Sequence, residues 1–390
     1  MTRAGMLIGA LLAVALVAHG SAHAEVGVTQ DEIVICALGV LTGPLANNGK
    51  TIYDGVQAVY ERVNSQGGIN GRKIRYVRED DRCQAADAIG AAKKLIYDDK
   101  VFIIHGGGCS NASLAAKPEI VQAKVPWVIT ASTADSLTDP VDPLIFTTML
   151  AAWMESAAQL QRAIDTGAKR IAVVFQQDAW GRERFNALTV RLTKAGVTPV
   201  AQEELPPEPA DATATALRIR DSKADAVILE LFPKAAAIYM RDAYKIGFTP
   251  PTFGGSTIGD IDKFAKDVGI PGGVQQLQTL SAAGYVPDDP KMADWKKAIE
   301  TMFPGDKFSI WHMFGIASGQ FMVEALKKAG PDLTREKIAA ILAHTSADTD
   351  SYGGPIACIP EDHQCYKTVS WFGLDKAGKV QLLGRTTVAR

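Results

Sequence analysis

Short apolar runs alternate with amphipathic stretches along this chain, and that alternation constrains the fold more than any other feature. Ile33 to Val40 is an apolar run suited to a strand buried on both faces. The loop Leu41-Thr42-Gly43-Pro44 follows, and Tyr53 to Val63 then has helical spacing. Lys73 to Val77 reads as strand. Ala85, Ala88, Ile89, Ala92 and Leu95 recur with the period of a helix that turns one face to a core. Val101 to Ile104 is strand again, stopped by Gly106-Gly107-Gly108. Ser113 to Val121 is helical and Val125 to Ile129 is the next strand. This order predicts a parallel sheet with helices on both faces.

The pattern restarts after Ala151. Helix is expected over 154–164, 182–192, 212–220 and 235–246, and strand over 170–175, 199–203, 226–231 and 274–280, with a short strand and turn at Thr252-Phe253-Gly254-Gly255. Three further helical stretches follow, near 292–302, 311–328 and 335–342. Thr368–Leu374 and Val380–Leu383 read as a hairpin around Asp375-Lys376-Ala377-Gly378. The chain thus holds two α/β units in series, which suits 390 residues, more than one hydrophobic core usually serves.

The N-terminus bears on the compartment. Arg3 is the only charge before Glu25 and precedes an apolar run from Met6 to Ala18, too short to span a bilayer. Ser21-Ala22-His23-Ala24 then offers an Ala-x-Ala cleavage pattern, so residues 1–24 are expected to be a secretory signal peptide and the mature chain to be periplasmic. With 41 Lys+Arg against 43 Asp+Glu, the formal charge of -2 gives no support to nucleic acid or an anionic membrane surface as partner.

Export changes how the five cysteines read, since an oxidising compartment favours disulfides over catalytic thiols. Cys358 and Cys365 sit seven apart, in a loop that a disulfide could staple. Cys83 and Cys109 each follow a candidate strand, and adjacent parallel strands would bring those ends together. Cys36, inside the first apolar run, reads as a buried free thiol acting as a small apolar residue.

Catalytic patterns are missing. Gly315-Ile316-Ala317-Ser318-Gly319 misses the Gly-x-Ser-x-Gly elbow because its serine is one place late. There is no phosphate-binding Gly-x-x-x-x-Gly-Lys-Ser/Thr loop and no Gly-x-Gly-x-x-Gly after a strand. His105, His312, His344 and His363 lack metal-ligand spacing, so neither metal nor cofactor is expected and the chain does not read as an enzyme. Polar residues instead collect where strands lead into helices, the place where open α/β sheets bind ligands. The loops are Gly43–Gly49, Gly108-Cys109-Ser110-Asn111 and Thr130-Ala131-Ser132-Thr133. Ser110 would open a helix whose free N–H groups favour an anion, and Thr133 could add a hydroxyl. Together they suit a ligand carboxylate held by neutral donors, although both residues could equally be simple N-caps.

Leu41-Thr42-Gly43-Pro44-Leu45-Ala46, the stretch Asn64 to Lys73, Asp80-Asp81 with Cys83, Gly108-Cys109-Ser110 and Thr130-Ala131-Ser132-Thr133 occur in this order. Asp178-Ala179-Trp180-Gly181-Arg182, Asp225-Ala226-Val227, Ala243–Gly247 and Gly254-Gly255 continue the set. Taken together, the chain resembles the periplasmic substrate-binding proteins of the branched-chain amino-acid type of ABC transporter. The resemblance implies a type I periplasmic binding fold: α/β, two Rossmann-like lobes with parallel sheets joined by a three-crossover hinge. It implies lobe 1 from residues 25–148 plus 281–350, and lobe 2 from 149–280 plus 351–390. It also supports a Cys83–Cys109 disulfide beside the binding serine, a monomer, and a membrane permease as partner.

Residue by residue, Ser110, Ala131 and Thr133 match positions that hold the ligand carboxylate through hydroxyls and backbone N–H groups, with Ser132 in the same loop. Asn48 sits where the first loop reaches the cleft. Trp180 matches an aromatic of the second lobe that covers the ligand, and Phe232 is expected as another wall. Amino-acid binders of this family place an acid in the loop matching Gly254-Gly255-Ser256-Thr257 to receive the ligand ammonium, and here that position is Ser256. Either another acid substitutes, Glu230 first and Asp178 next, or the ligand has no ammonium. The expectation is a small carboxylate ligand, an aromatic or other organic acid, with a branched-chain or other amino acid as the alternative. A sensing domain on the same fold is the alternative of another class.

Overall fold

The computed structural model describes residues 25–43 and 45–389. The expected signal segment, 1–24, and Pro44 lie outside the described residues. Among the described residues no helix is long and apolar enough to cross a membrane.

The first sheet takes strands β1 (Glu32–Gly39), β2 (Lys73–Asp80), β3 (Ile103–His105), β4 (Trp127–Ile129) and β5 (Ile145–Thr147), all parallel, in the order β2-β1-β3-β4-β5. Ile33 through Val40 are all buried, as a strand covered on both faces requires. Helices α1 (Ala46–Ser65), α2 (Ala85–Lys93) and α3 (Ser110–Gln122) make the crossovers. The second unit contains α4 (Ala152–Asp165), β6 (Ile171–Gln176), α5 (Ala179–Lys194), β7 (Ala201–Leu205), α6 (Thr213–Asp221), β8 (Ala226–Glu230), α7 (Pro233–Lys245), β9 (Thr252–Gly254), α8 (Ile261–Val268) and β10 (Leu277–Ser281). Its parallel strands run β7-β6-β8-β9-β10, the same connectivity as the first sheet. Both lobes therefore reverse strand order at one place, β1/β3 in the first and β6/β8 in the second, and crevices for ligands open at such places.

After β10 the chain returns to the first lobe. Helices α9 (Ala293–Met302), α10 (Ile310–Ala329) and α11 (Arg335–Leu342) follow, then the short pair β11 (Ser346–Ala347) and β12 (Ile356–Ala357). α10 packs on α1 with backbones nearly touching. A Cβ on Gly315 would lie 1.9 Å from the Ile52 carbonyl oxygen, and one on Gly55 would lie 2.3 Å from that of His312, so both positions need glycine. The hairpin β13 (Thr368–Leu374) and β14 (Val380–Thr387) then completes the second sheet, β13 pairing antiparallel with β10.

Three segments thus pass between the lobes. The Tyr366 hydroxyl donates to the Ala282 carbonyl (2.9 Å) and accepts from the Gly353 N–H (3.1 Å), and the Gln364 side-chain amide donates to the Met149 carbonyl on the first of them. The fold is the type I periplasmic binding fold. Assigning everything from 351 to the second lobe misplaces the loop of the second disulfide. Cys365 N–H donates to Thr147 of β5, and Thr147 N–H to His363, so this loop rides on the first lobe and the last crossing comes after Cys365. Both expected disulfides are formed, Cys83–Cys109 and Cys358–Cys365, and Cys36 is a buried free thiol.

Candidate functional site

Between the lobes lies a cavity of about 100 Å³ that adjoins a larger cleft of about 730 Å³, the two sharing Val40, Leu45, Asn48 and Phe232. Its first-lobe wall is built at the ends of β1, β3 and β4. Asp80, ending β2, fixes the first of these loops by accepting from the N–H groups of Leu41 (2.8 Å) and Thr42 (3.3 Å) and from the Thr42 hydroxyl (2.5 Å). Burial works against its charge, but these bonds win and hold the carboxyl below its usual range. Asn48, in the first turn of α1, reaches the cavity from this loop. Ser110 is the first residue of α3, directly after Cys109, and the disulfide to Cys83 ties that helix start to the loop following β2. Ser113 N–H donates to the Cys109 carbonyl (2.9 Å), which leaves the N–H groups of Ser110, Asn111 and Ala112 without a partner inside the helix, and Ser110 and Asn111 line the cavity. Ser110 Oγ accepts from the Thr133 N–H (3.2 Å), which brings both hydroxyls to one corner.

The second-lobe wall uses the corresponding strand ends. Trp180 is the second residue of α5, a helix capped by Asp178, whose carboxylate accepts from Gly181 N–H (2.8 Å) and from the Gln176 amide (2.6 Å). Phe232 ends the β8 loop, its N–H donating to the Gln176 side chain (3.1 Å), and its ring stacks on Trp180 with centres 4.2 Å apart. Ser256 and Thr257 close this wall.

No residue lining the cavity carries an ionisable acid or base among the described residues. Nor do they include a group of three or more His, Cys, Asp and Glu placed to hold a metal.

This chain matches the family described as periplasmic binding protein over residues 32–379. It belongs to that family. Substrate-binding proteins of this family bind small molecules and deliver them to an ABC permease, and a Leu/Ile/Val-binding protein from Rhizobium johnstonii is 24% identical over 80% of this chain and 83% of that protein. An amino acid binding protein from Pseudomonas aeruginosa is 27% identical over 311 residues, 77% of this chain and 79% of that protein. Two solved structures share the fold. A solute binding protein of an ABC transporter from Rhodopseudomonas palustris, in complex with 3,4-dihydroxybenzoic acid, has a TM-score of 0.77 at 21% identity, over 93% of this chain and 99% of that one. The branched-chain amino acid transporter substrate-binding protein from Streptococcus pneumoniae, in complex with isoleucine, also has a TM-score of 0.77, at 18% identity over 92% and 99%.

Of the residues expected at the binding protein's site, Asn48, Ser110, Ala131, Thr133, Trp180, Phe232 and Ser256 line the cavity. Ser132 and Glu230 do not. Ser132 is turned behind the wall, its hydroxyl on Ser113 Oγ at 2.6 Å. The N–H groups of Ala131 and Ser132 both go to the Gly107 carbonyl (3.0 Å each), so Ala131 presents its methyl to the cavity and its N–H is already taken. Glu230 lies fully buried behind the second wall, bound to Arg184 Nε at 2.5 Å. Burial pushes its carboxyl up to about 7 against the pull of Arg184. Asp178, the other acid considered for an ammonium, caps α5 and lines the larger cleft beside the cavity, not the cavity itself.

Sequence reasoning did not anticipate Ile52, Met149 or Trp311 in the wall. It also missed Glu155 and Arg184, which hold the loop at Ser256. Arg184 Nη2 bonds Glu155 at 2.6 Å, and Glu155 accepts from the Ser256 hydroxyl (2.6 Å) and N–H (3.0 Å). Two spacings point to this cluster: Arg184 is four residues from Trp180 on α5, and Gln159 is four from Glu155 on α4, which puts each pair on one helix face.

Proposed function

We propose that this chain is exported to the periplasm, where it captures a small carboxylic acid without an amine, an aromatic acid foremost, and delivers it to an ABC permease. The observation that carries the reading is the cavity lining: hydroxyls and a helix start in one corner, two stacked aromatic rings opposite, and no ionisable side chain. Ser110, Thr133 and the first turn of α3 offer a carboxylate neutral donors aimed at its charge. Trp180 and Phe232 suit a flat apolar body. An ammonium drawn into the same space finds no anion, and burying an unpaired charge costs several kcal/mol. Closure of the lobes about the three crossing segments, with the ligand favouring the closed arrangement, is the mechanism of capture.

The fold alone does not choose the ligand, since its neighbours hold a benzoate in one case and isoleucine in another. The Pseudomonas relative's name favours an amino acid, and a thermal-shift panel separates the two readings. Benzoate, 4-hydroxybenzoate and 3-phenylpropanoate are expected to stabilise the protein by about 2.7 kcal/mol at a hundred times Kd, with leucine, isoleucine and phenylalanine inert. Stabilisation by the amino acids and by none of the amine-free acids overturns the proposal.

A further inference from the structure

The second-lobe wall of the cavity rests on buried charge. Glu155 on α4, Arg184 on α5 and Glu230 at the end of β8 are each almost wholly inaccessible, at 0–1% exposure. Arg184 divides its nitrogens between the two acids, Nε to Glu230 and Nη2 to Glu155, while Nη1 is buried with no hydrogen-bond partner. Gln159, with its amide nitrogen toward the acids, donates to Glu230 Oε1 at 2.6 Å and takes the Gly255 N–H on its oxygen at 3.2 Å. The cluster reaches the wall at two points. Glu155 holds Ser256 by hydroxyl and N–H, and the guanidinium carbon of Arg184 lies 5.0 Å from the centre of the Trp180 ring. One cation therefore stands against two acids, one residue deep behind the ligand space.

We propose that Arg184 sets the charge class of ligand that this cleft accepts, by balancing the Glu155 carboxylate behind Ser256. Burial favours the protonated form of Glu230, so with Arg184 present the guanidinium and the Glu155 carboxylate balance, and the wall neither repels a ligand carboxylate nor offers an anion to an ammonium. Without Arg184, the Glu155 carboxylate, which accepts from the Ser256 hydroxyl and N–H, is left without a cation behind the wall, an arrangement that favours an amino acid over an amine-free acid. Arg184 acts through the acids and through Trp180, so it is a positioning residue and touches no ligand. The inference rests on the amine-free reading above and extends it to the residue that enforces it.

The test uses ligand pairs that differ only by the amine: phenylalanine with 3-phenylpropanoate, and leucine with 4-methylpentanoate. Calorimetric Kd values for each pair are measured on the wild type, on Arg184→Gln and on the triple variant E155Q/R184Q/E230Q. In R184Q the preference is expected to move at least tenfold toward the amino acid, which is about 1.4 kcal/mol. The triple variant, stripped of all three ionisable groups but able to keep the amide hydrogen bonds, is expected to return the ratio close to the wild-type value. Equal weakening of both partners of a pair makes Arg184 a packing residue and overturns the proposal, as does an unchanged ratio. Failure of every probe to bind either protein overturns it too. If R184Q does not fold, E155Q leaves Arg184 unopposed at the wall and is expected to shift the ratio toward the amine-free partner, and an unmoved ratio there is equally fatal. A wild type that prefers the amino acids defeats the amine-free reading, while the shift in R184Q still decides the role of Arg184.

Discussion

Removing the two disulfides one at a time should separate stability from binding. Cys83–Cys109 spans 26 residues of sequence and Cys358–Cys365 spans 7. Loop-closure entropy in the unfolded chain assigns them about 3.5 and about 2.5 kcal/mol, so the longer loop should matter more by about 1 kcal/mol. Their places in the structure differ further. Cys83 and Cys109 both line the cavity, and Cys109 directly precedes Ser110, so this bond fixes the corner where the hydroxyls meet. The 358–365 loop is held to β5 by backbone bonds at Thr147 and does not line the cavity. Denaturant unfolding followed by tryptophan fluorescence should show C83A/C109A losing more stability than C358A/C365A. Calorimetry with the tightest acid of the panel should show weakened binding only in C83A/C109A. A larger stability loss from the short loop would refute the chain-entropy account. Unchanged affinity in C83A/C109A would refute the claim that the disulfide positions Ser110.

Three further outcomes follow from named contacts. Ser110→Ala and Thr133→Ala should each weaken acid binding by about ten- to a hundredfold, the worth of a hydrogen bond to a charged group at about 1.5–3 kcal/mol, with the melting temperature little changed. Gly255→Ala should destabilise by about 1–3 kcal/mol in denaturant melts, because its Cβ would lie 2.9 Å from Glu155 Oε2 and 3.1 Å from Arg184 Nη2, inside the ion cluster. His105 is buried between the Tyr60 hydroxyl (2.5 Å) and Ser318 Oγ (2.8 Å), and burial lowers its ring from the ordinary 6.5 to about 3. The unfolded chain then takes up a proton that the folded chain refuses, so stability present above the ordinary value is lost on acidification at about 1.4 kcal/mol per pH unit. Glu230, raised to about 7, and His312, lowered to about 4, titrate in the same range with opposite signs, so the difference between the unfolding curves of the wild type and His105→Gln from pH 6 to pH 4 should carry this slope, with His105→Gln less stable at neutral pH.

How far the sequence predicts the fold depends on how each element is buried. β1 is legible because a strand covered on both faces must be apolar throughout, and Ile33–Val40 is. β5 escaped because Ile145-Phe146-Thr147 is three residues long, too short for any period to show. β14 runs on to Thr387, past the expected end at Leu383, since an edge strand with one wet face accommodates Arg385, Thr386 and Thr387 as easily as apolar residues. The crossings were the least legible part, because a segment's lobe is set by what it pairs with. Nothing in Cys358–Cys365 announces that Thr147, two hundred residues earlier in the chain, is its neighbour.

The site divides in the same way. Ser110, Thr133, Trp180, Phe232 and Ser256 all stand at carboxyl ends of strands, and topology sends such positions to the crevice whatever else the chain does. The two lobes even use matching places, the loops after their first, third and fourth strands, yet they fill them with different chemistry. The first lobe brings the Ser110 and Thr133 hydroxyls, a helix start and Trp311, and the second brings the stacked Trp180 and Phe232 with Ser256 and Thr257. On the proposed reading, the acid of the ligand goes toward α3 and its ring toward α5. What the sequence could not disclose is the fate of the acids. Forty-three Asp and Glu residues against forty-one Lys and Arg leave open which of them meet. At Ser256 the outcome turns on one such meeting: Glu155 and Glu230 stand buried behind the wall, and Arg184 bonds both.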